Sequence, residues 1–481
     1  MIRLLAVAAS VAASSPIAAT LGPPTIWNGT PDDVAKFCRG GPVPAAGGRW
    51  VMSPLVMEGS TARCNITTTV GPGASLAARL VGPSLAPCAV DAASDGYALR
   101  CDVRDAGAYA LEVLLMFENE TLAFAPGAAP GRQPRPLCRP LTATRGLPSV
   151  DAAARAVDAS RPCSSFASRR HRADVGRWTF RDGALAWAPS RCAPRVYDRD
   201  EATRCLAGRT VLFVGDSHTR LVADALAPQP QPAGPDRRRA TGVLFRAILA
   251  GRTPTPSPFV GPDATTKAGN WTIRSRGDVR FLAANKVPRD DGSLVAAILA
   301  AAPDVVVVNM GHWDLRDVNV EAYVDAWKAF VDALAAAAPE TTRLVWRTNP
   351  AYSFRRHDDR EVEYRTNAKL AKAHALQLAH LRRSRYDVHD TFGITLPRFF
   401  DANSAHHYIG FSSFAHGAAS VGEAGTCPGG ACCGGGVGGA CPWVVHPRTG
   451  PSRKLGTPYY VGNAVGLADL NALLNSLCNV S

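Results

Sequence analysis

The chain has 481 residues, of which 46% are hydrophobic and 19% are charged, and its formal net charge at pH 7 is +13. This composition is typical of globular proteins and excludes an intrinsically disordered chain. At about 150 residues per domain, the length predicts roughly three structural units. The positive charge indicates either a solvated basic surface or attraction to an acidic partner such as an anionic polysaccharide. Basic residues are not interleaved with aromatic residues in the way that would indicate a nucleic-acid partner.

The N-terminus has the pattern of a signal peptide. Arg3 is followed by a short apolar run, residues 4–13, and then by small residues up to Thr20. We therefore expect residues 1–20 to be a signal peptide. The apolar run is shorter than a membrane span requires, so we expect contact with a membrane only if this segment is an uncleaved anchor.

Cysteines and glycosylation sequons predict passage through the secretory pathway. Thirteen cysteines fit a compartment where disulfides persist, and the odd count leaves one thiol or one intermolecular bond. Sequons for N-glycosylation occur at Asn28, Asn65, Asn119, Asn270 and Asn479. We expect the protein in the Golgi lumen or outside the cell.

Residues 21–125 predict a β-sandwich. Short apolar segments such as WVMSPLVM and ARCNITTTV are separated by Gly, Pro and Ser turns, and several short strands at this spacing are typical of a sandwich. The run DGYALRCDVRDAGAYALEVLL resembles the last two strands of a filamin-type immunoglobulin-like repeat. That resemblance implies a module that binds or spaces rather than one that catalyses.

Residues 126–204 predict a linker and a lead-in segment. The first part is rich in Pro, Gly and Arg, which favours a linker. The remainder is less regular and contains Cys163 and Cys192. We expect it to wrap the following domain under disulfides.

Residues 205–481 change to alternating strands and helices. Strands are predicted for TVLFVG, VRFLAAN, PDVVVVNMG, TRLVWRTN and YDVHDTFG, and helices for VEAYVDAWKAFVDALAAAAP and REVEYRTNAKLAKAHALQLAHLRRSR. Repeated βα units predict an α/β domain with a parallel sheet covered by helices on both faces. The active site of such a sheet lies at the carboxyl ends of its strands.

Ser217 stands where the first of these strands gives way to a helix. The unpaired N–H groups and the positive dipole end of a helix N-terminus can stabilise the oxyanion that forms when a serine attacks an acyl carbonyl. Gly215 would allow the tight turn. The alternative is that Asp216 or Ser217 only caps the helix, and the residues alone leave both interpretations open.

A candidate general base lies in FFDANSAHHYIGF, which contains Asp401, His406 and His407. A carboxylate beside a histidine orients the ring, fixes its tautomer and stabilises the imidazolium that forms on proton transfer. The alternative is a histidine pair that is packed against aromatic residues or solvated.

The segment NMGHWD follows a neighbouring strand. Asn309 and Gly311 in this segment could supply further oxyanion donors, and the alternative is a capped turn. His312 in the same segment is a weaker candidate for the base. His218, beside the serine, is expected to be structural.

Taken together, these motifs resemble those of the SGNH/GDSL hydrolases. The closer likeness is to their PC-esterase branch, which includes the plant trichome birefringence-like polysaccharide O-acetyltransferases. The family pattern W-x-P-x-x-C … L-x-G-K-x-x-x-F-V-G-D-S-x-x-R is similar to the segment LAWAPSRCAPRVYDRDEATRCLAGRTVLFVGDSHTR of this chain. Two further family patterns have counterparts: N-T-G-H-W-W is similar to NMGHWD, and R-T-x-S-P is similar to WRTNP. The resemblance covers residues 176–481. It implies an α/β, SGNH-like three-layer sandwich with a parallel sheet, preceded here by the all-β immunoglobulin/filamin-like domain.

The same resemblance implies a covalent acyl-serine mechanism with Ser217 as the nucleophile. Gly215 then provides the turn, and Asn309 and Gly311 belong to the oxyanion region. Arg220 corresponds to a helix residue of the GDS motif.

The acid and the base depart from the family pattern. The family's last motif is D-x-x-H followed by an aromatic residue, whereas here Ser404 stands three residues before His407 and Asp401 six residues before it. We expect the triad Ser217–His407–Asp401. The alternatives are that His406 is the base or that the acid is missing.

Residues 422–441, rich in Gly and Cys, have no counterpart in the family. Their cysteines lack the paired C-x-x-C spacing of a zinc site, so we expect an inserted loop held by disulfides. No metal and no other cofactor is expected, because an acyl-serine mechanism needs neither.

The expected function is therefore a serine O-acyltransferase or esterase that acts on O-acyl groups, acetyl above all, of a polysaccharide or other glycan. The sequence does not decide between the two activities, although the resemblance favours transfer. A non-catalytic glycan-binding or adhesion protein with a degenerate SGNH domain is the main alternative, motivated by the irregular DANSAHHY segment. A GDSL-type lipase is a third possibility, against which the absence of an apolar lid segment argues.

Overall fold

The structure is a computed structural model. The residues that it describes are 17–21, 50–69, 73–117, 135–138, 149–152, 163, 176–181, 184–189, 192–197, 199–226, 264–276, 278–288, 292–352, 366–401, 409–411, 460–462 and 464–478. They form two large sheets, a short two-stranded sheet and a set of helices.

Strands of the first sheet come from the N-terminal part of the chain. They are β1 (Ile17–Leu21), β2 (Trp50–Met52), β3 (Val56–Glu58), β4 (Thr61–Thr68), β5 (Ser75–Val81), β6 (Ser84–Ala93), β7 (Gly96–Asp102), β8 (Gly107–Phe117), β9 (Arg135–Cys138), β10 (Ser149–Ala152), β11 (Gly176–Arg181) and β12 (Ala184–Pro189).

The second sheet and the two-stranded sheet follow. Their strands are β13 (Val211–Gly215), β14 (Ala264–Ala268), β15 (Trp271–Arg276), β16 (Val279–Ala283), β17 (Val305–Asn309), β18 (Arg343–Arg347), β19 (Asp387–His389), β20 (Ile409–Phe411) and β21 (Tyr460–Gly462).

Helices are confined to the C-terminal part of the described residues. They are α1 (Arg199–Leu206), α2 (Ser217–Leu226), α3 (Ser293–Ala300), α4 (Asp314–Asp317), α5 (Val320–Ala337), α6 (Asn367–Leu381), α7 (Thr391–Thr395), a 3₁₀ helix (Leu396–Asp401) and α8 (Ala464–Leu477). None of them is both long and apolar enough to cross a membrane.

The first sheet is antiparallel and curls on itself. Its main path is β10-β8-β9-β1-β2-β4-β7-β6-β11-β12, and β5 pairs with both β6 and β8, which closes a circuit of paired strands. Alternation along β4 buries Ala62, Cys64 and Ile66 and exposes the residues between them, as expected for strands with one face on a core. Trp50 and Tyr109 are also fully buried there.

Strands β9–β12 come from the predicted linker and lead-in segment, yet they pair within this first sheet. β11 joins β6 through Trp178 and Leu85, and β9 joins β8. The predicted domain boundaries at residues 125 and 204 stay a prediction, but the sheet itself continues across the first of them.

The second sheet has the strand order β14-β15-β16-β13-β17-β18-β19. Strands β16, β13, β17, β18 and β19 are parallel, whereas β14 and β15 run antiparallel to their neighbours. β13 and β17 are buried along their whole length. Helices α3, α5 and α6 pack on one face in a core that includes the fully buried Trp327, and α2 and α8 pack on the other in a core that includes Phe213.

The prediction of a parallel-sheet, SGNH-like sandwich is wrong. The second sheet is mixed, because two of its strands are antiparallel to their neighbours. Most strands of the described residues belong to the antiparallel first sheet, so the described part of the molecule is rich in β-structure. The segment ATTKAGNWTIRSR forms the hairpin β14–β15, with Gly269 and the exposed Asn270 at its turn. Because its Thr, Lys and Arg side chains lie at a partly exposed sheet edge, the hairpin lacks the apolar runs that mark buried strands.

The cysteines form three disulfides within the described residues. They join Cys88 to Cys101, Cys163 to Cys192, and Cys205 to Cys478. The last of these ties α1 to the end of α8 across 273 residues of chain. Cys64 is buried as a thiol that donates to the Ser53 carbonyl oxygen.

Candidate active site

The candidate nucleophile lies at the carboxyl edge of the second sheet. Gly215, the last residue of β13, stands opposite Asn309, the last residue of the parallel neighbour β17. Ser217 begins α2 and is partly exposed. The sequence thus predicted correctly that the GDS and NMG segments end neighbouring strands.

Asp216 caps the helix that Ser217 begins. Its side chain is buried, its Oδ1 accepts a hydrogen bond from the His218 backbone N–H at 2.9 Å, and its carbonyl oxygen accepts one from Arg220 N at 2.9 Å. These are the bonds of an N-cap residue. Since Asp216 fills this role, the cap does not depend on the Ser217 hydroxyl.

Asn309 is completely buried and links three elements. Its Nδ2 donates to the Arg347 carbonyl oxygen at 2.8 Å and to Asn349 Oδ1 at 2.9 Å, while Thr219 Oγ1 lies 3.2 Å from its Oδ1. An amide nitrogen has two hydrogens, and both are therefore used by protein acceptors. In this geometry Asn309 fixes the first turn of α2 against β17 and β18, and its side chain is not available to an oxyanion.

Gly311 lies in a tightly packed loop after β17, with φ +132°. A Cβ atom there would come 2.3 Å from Tyr323 Oη and 2.6 Å from Asn349 Nδ2. Tyr323 Oη itself donates to the Met310 carbonyl oxygen at 2.7 Å and accepts from Gln377 Nε2 at 2.8 Å. The loop therefore requires glycine at this position for both its backbone conformation and its packing.

His218 and His312 form a buried pair beside the nucleophile. Their ring centroids are 4.2 Å apart, and Tyr352 packs against His312 with centroids 4.4 Å apart. His312 Nε2 lies 2.9 Å from the Pro350 carbonyl oxygen, to which it donates. His218 and His312 are exposed by only 5% and 1%, so the pair is packed inside the protein, consistent with the structural role expected for His218.

The predicted base and its alternative, His407 and His406, lie outside the described residues. Asp401 ends the 3₁₀ helix, and nothing beyond its backbone is described. β20 begins two residues after His407 and lies beside α2, the helix that Ser217 begins. The described chain that follows the histidine pair therefore lies beside the helix that Ser217 begins.

The same sheet edge carries a buried ion cluster that the sequence did not predict. Asp469 of α8 accepts from Arg347 Nη2 at 2.6 Å, from His389 Nε2 at 2.7 Å and from Thr391 Oγ1 at 2.8 Å. Burial opposes ionisation, but the Arg347 charge and the His389 hydrogen bond hold the pKa of Asp469 well below its ordinary value. The Arg347 backbone carbonyl also accepts from Asn309, so this cluster borders the Asn309 network.

His374, another buried histidine, contacts that network. The Asn349 backbone N–H donates to His374 Nε2 at 3.2 Å, and the ring packs against Phe392. Burial lowers the pKa of His374 to about 3. The imidazole is therefore neutral, as its role as an acceptor requires.

Charged and aromatic side chains follow the ends of β16 and β17. We call the surface formed by Lys286 and residues 313–317 the rim. The Arg316 guanidinium lies 4.7 Å from the centre of the Trp313 ring and pairs with Asp317, which also pairs with Lys286 at 2.6 Å. The hydrogen bond from Arg316 and the contact with Lys286 lower the pKa of Asp317 to about 2. The rim therefore presents both charges and an aromatic ring at neutral pH.

The described residues offer no metal site from which a function could be inferred. No group of three or more His, Cys, Asp or Glu side chains in the described part of the chain could hold a metal ion. The four cysteines of residues 422–441 lie outside it.

No family model matches the chain, and no curated protein matches it. Among solved structures, the chain is similar to one described as a proposed platelet activating factor from Streptococcus pneumonia, with 14% sequence identity. The match covers 44% of this chain and 82% of that chain, and its TM-score is 0.25. Agreement at that level carries no argument about fold or chemistry. The function must be inferred from the residues and their arrangement.

Proposed function

We propose that the protein is a serine acyl-enzyme of the secretory pathway that transfers or removes O-acyl groups on a glycan. The observation that carries this proposal is the position of Ser217. It is a partly exposed serine that begins a helix at the carboxyl end of a buried strand, and Asp216 rather than Ser217 provides the cap. A helix N-terminus offers N–H groups and a positive dipole end to a developing oxyanion.

The proposed reaction has two steps. Ser217 Oγ attacks the acyl carbonyl while His407 takes its proton, and the alcohol of the donor leaves with that proton, so that an acyl-serine remains. A sugar hydroxyl or water then attacks the acyl-serine, gives its proton to His407, and the proton returns to Ser217 as the ester bond breaks. Asp401 orients the imidazole and stabilises its charged form, and His406 is the alternative base.

The oxyanion would be stabilised by backbone N–H groups at the start of α2 and around Gly311. Both elements meet Asn309, whose side chain is occupied by Thr219, Arg347 and Asn349. In this proposal Gly215 and Asn309 position the donors. Preorganised donors of this kind cost no reorganisation during the reaction.

A glycan substrate and the secretory pathway are supported by the sequence. The resemblance to polysaccharide O-acetyltransferases favours a sugar hydroxyl as the acceptor. Asn65 and Asn270, two of the sequon asparagines, are exposed, and disulfides join described cysteines. Both features fit an oxidising, glycosylating compartment.

The proposal is tested by hydrolysis of p-nitrophenyl acetate. The wild-type protein is compared with Ser217→Ala, His407→Ala, His406→Ala and Asp401→Ala, and with Ser293→Ala as a matched control, because Ser293 begins α3 as Ser217 begins α2. We expect Ser217 and one of the two histidines to be required and Ser293 to be dispensable. Full activity of folded Ser217→Ala would overturn the mechanism, whereas no activity above buffer in any of the folded proteins would favour the glycan-binding protein.

A further inference from the structure

Residues 391–401 run between the two large sheets; we call them the bridging segment. α7 and the 3₁₀ helix form this segment, and Asp401 is its last residue. On the side of the second sheet, Thr395 Oγ1 accepts from Ala351 N and Thr391 Oγ1 donates to Asp469, both at 2.8 Å. This side is therefore fixed by hydrogen bonds to the elements around the candidate site.

The antiparallel sheet holds the other side of the bridging segment with an arginine. Arg79 of β5 is 1% exposed, pairs through Nε with Glu112 of β8 at 2.7 Å and donates from Nη1 to the Pro397 carbonyl oxygen at 3.0 Å. Glu112 neutralises the charge and fixes the guanidinium. The other end of the guanidinium, Nη1, is thereby directed to the backbone of the 3₁₀ helix.

Trp178 of β11 holds the same segment at a second point. Its Nε1 donates to the Ile394 carbonyl oxygen at 2.9 Å, and the Arg398 guanidinium lies 4.6 Å from the centre of its ring. Arg398 has non-helical backbone angles, φ −135° and ψ 33°, which kink the segment three residues before Asp401. Both side chains are buried, and Leu85, Ile394 and Trp178 share one apolar cluster.

We call Arg79 and Trp178 the clamp. Its position matters because few residues separate the bridging segment from the candidate base, His407. Seven residues, 402–408, connect Asp401 to β20, and β20 lies beside α2. This short connection contains His406 and His407. A displacement of about 1 Å in an active site can reduce the rate about a hundredfold.

We propose that the antiparallel sheet completes the active site, with Arg79 and Trp178 as positioning residues for the bridging segment, which ends at the proposed acid, Asp401, and leads along the chain to the proposed base, His407. This inference rests on the proposed function and gives the N-terminal sheet a role other than that of a detachable binding module. The contacts that carry it are the bonds to the Pro397 and Ile394 carbonyl oxygens and the stacking of Arg398 on Trp178.

The test compares two tryptophans of the same sheet. Trp178→Phe keeps an aromatic ring but removes the donor to Ile394, whereas Trp50→Phe makes the same change in the core of the sheet, where Trp50 Nε1 has no partner among the described residues. A double variant, Arg79→Met with Glu112→Leu, removes the second contact and leaves no single charge buried. Tyr97→Phe, which loses one bond to the Ala74 carbonyl oxygen, is its control.

Amide hydrogen exchange provides a readout that does not depend on activity. In the Trp178→Phe and Arg79→Met/Glu112→Leu proteins we expect exchange of the 391–401 amides to rise about tenfold or more, with α5 unchanged and with no such rise in either control. Unchanged protection of residues 391–401 in both folded variants would overturn the clamp, whether or not the protein is an enzyme.

Kinetics then test whether the clamp positions the base. We expect kcat/KM for p-nitrophenyl acetate to fall about tenfold or more and the acidic limb of its pH profile to shift in the clamp variants, with the controls within about twofold of wild type. If wild type lacks Ser217-dependent activity, the proposed function fails and so does this catalytic role. If wild type is active and both clamp variants keep its kcat/KM and pH profile, only the positioning role is wrong.

Discussion

Gly215 and Asn309 lie opposite each other at the ends of two parallel strands, and a Cβ atom on Gly215 would come within 2.0 Å of the Asn309 carbonyl oxygen. The same atom would lie 2.4 Å from Thr219 Oγ1. The contact is with backbone and with a fully buried side chain, so neither can move aside cheaply. This close approach brings the start of α2, and with it Ser217, directly against β17.

The first prediction concerns this approach. Gly215→Ala should lower the free energy of unfolding by about 3 kcal/mol or more, because the added methyl group overpacks a site with no space. Gly208→Ala is the control, since Gly208 also has an unusual backbone angle, φ +74°, but nothing within 4 Å of the added atom. That change should cost only about 1 kcal/mol. Urea unfolding of the two variants distinguishes them, and equal losses would contradict the packing argument.

The second prediction concerns the buried amide of Asn309. Asn309→Asp replaces a donor of two hydrogen bonds with an acceptor facing the carbonyl oxygen of Arg347 and Oδ1 of Asn349. We expect a loss of about 2–4 kcal/mol in unfolding free energy. The control is Asn319→Asp: Asn319 caps α5 through Oδ1 and Ala322 N, and aspartate caps equally well. If both variants are as stable as wild type, Asn309 does not hold the site together.

The third prediction is a pH dependence of stability that originates at His374. Its folded pKa, about 3, lies below its ordinary value of 6.5, so between these values only the unfolded chain binds a proton at this site. Lowering the pH through this window therefore favours unfolding, by about 1.4 kcal/mol per pH unit. Between pH 7 and pH 5, wild type should lose about 2 kcal/mol more than His374→Gln, as measured by urea unfolding at each pH. Parallel losses in the two proteins would refute the assignment.

The fourth prediction concerns the ion cluster of Arg347 and Asp469. Asp469→Asn leaves the guanidinium buried without a counter-charge, and Nε and Nη1 of Arg347 already lack a partner within the described residues. The expected loss in the free energy of unfolding is about 3–5 kcal/mol. The double variant Asp469→Asn/Arg347→Met removes the buried charge as well and should regain most of that stability. Since the folded pKa of Asp469 is depressed, its contribution is present at neutral pH and is lost as the pH falls below the ordinary value of 3.8. A double-mutant cycle without coupling would contradict this account.

Local patterns predicted the elements around the nucleophile because those elements are apolar and continuous. TVLFVG and PDVVVVNMG became β13 and β17, and the helical spacing of Tyr323, Trp327 and Leu334 marked the buried face of α5. The hairpin β14–β15 was missed because its polar residues lie on a sheet edge. The mixed sheet that results could not be inferred from the buried strands alone.

Long-range partners explain most of what the sequence did not reveal about the site. Arg347 and Asp469 are 122 residues apart, and Trp178 and Ile394 are 216 apart. Nothing in the neighbouring residues marks Asp469 or Trp178 as partners, because their pairing depends on the topology of both sheets. Asn309 was recognised by its motif, but its role became apparent only from the acceptors around its amide.

The most direct test of the central claim is to locate the acyl group. The full chain is incubated with p-nitrophenyl acetate, quenched in acid and digested, and its peptides are analysed by mass spectrometry, with Ser217→Ala and Ser293→Ala treated in parallel. The account predicts an acetyl ester on Ser217 in the wild-type and Ser293→Ala proteins, and none at this position in Ser217→Ala. Turnover of the ester by a Ser217→Ala protein at the wild-type rate, or an acetyl ester on another residue in all three proteins with none on Ser217, would contradict it.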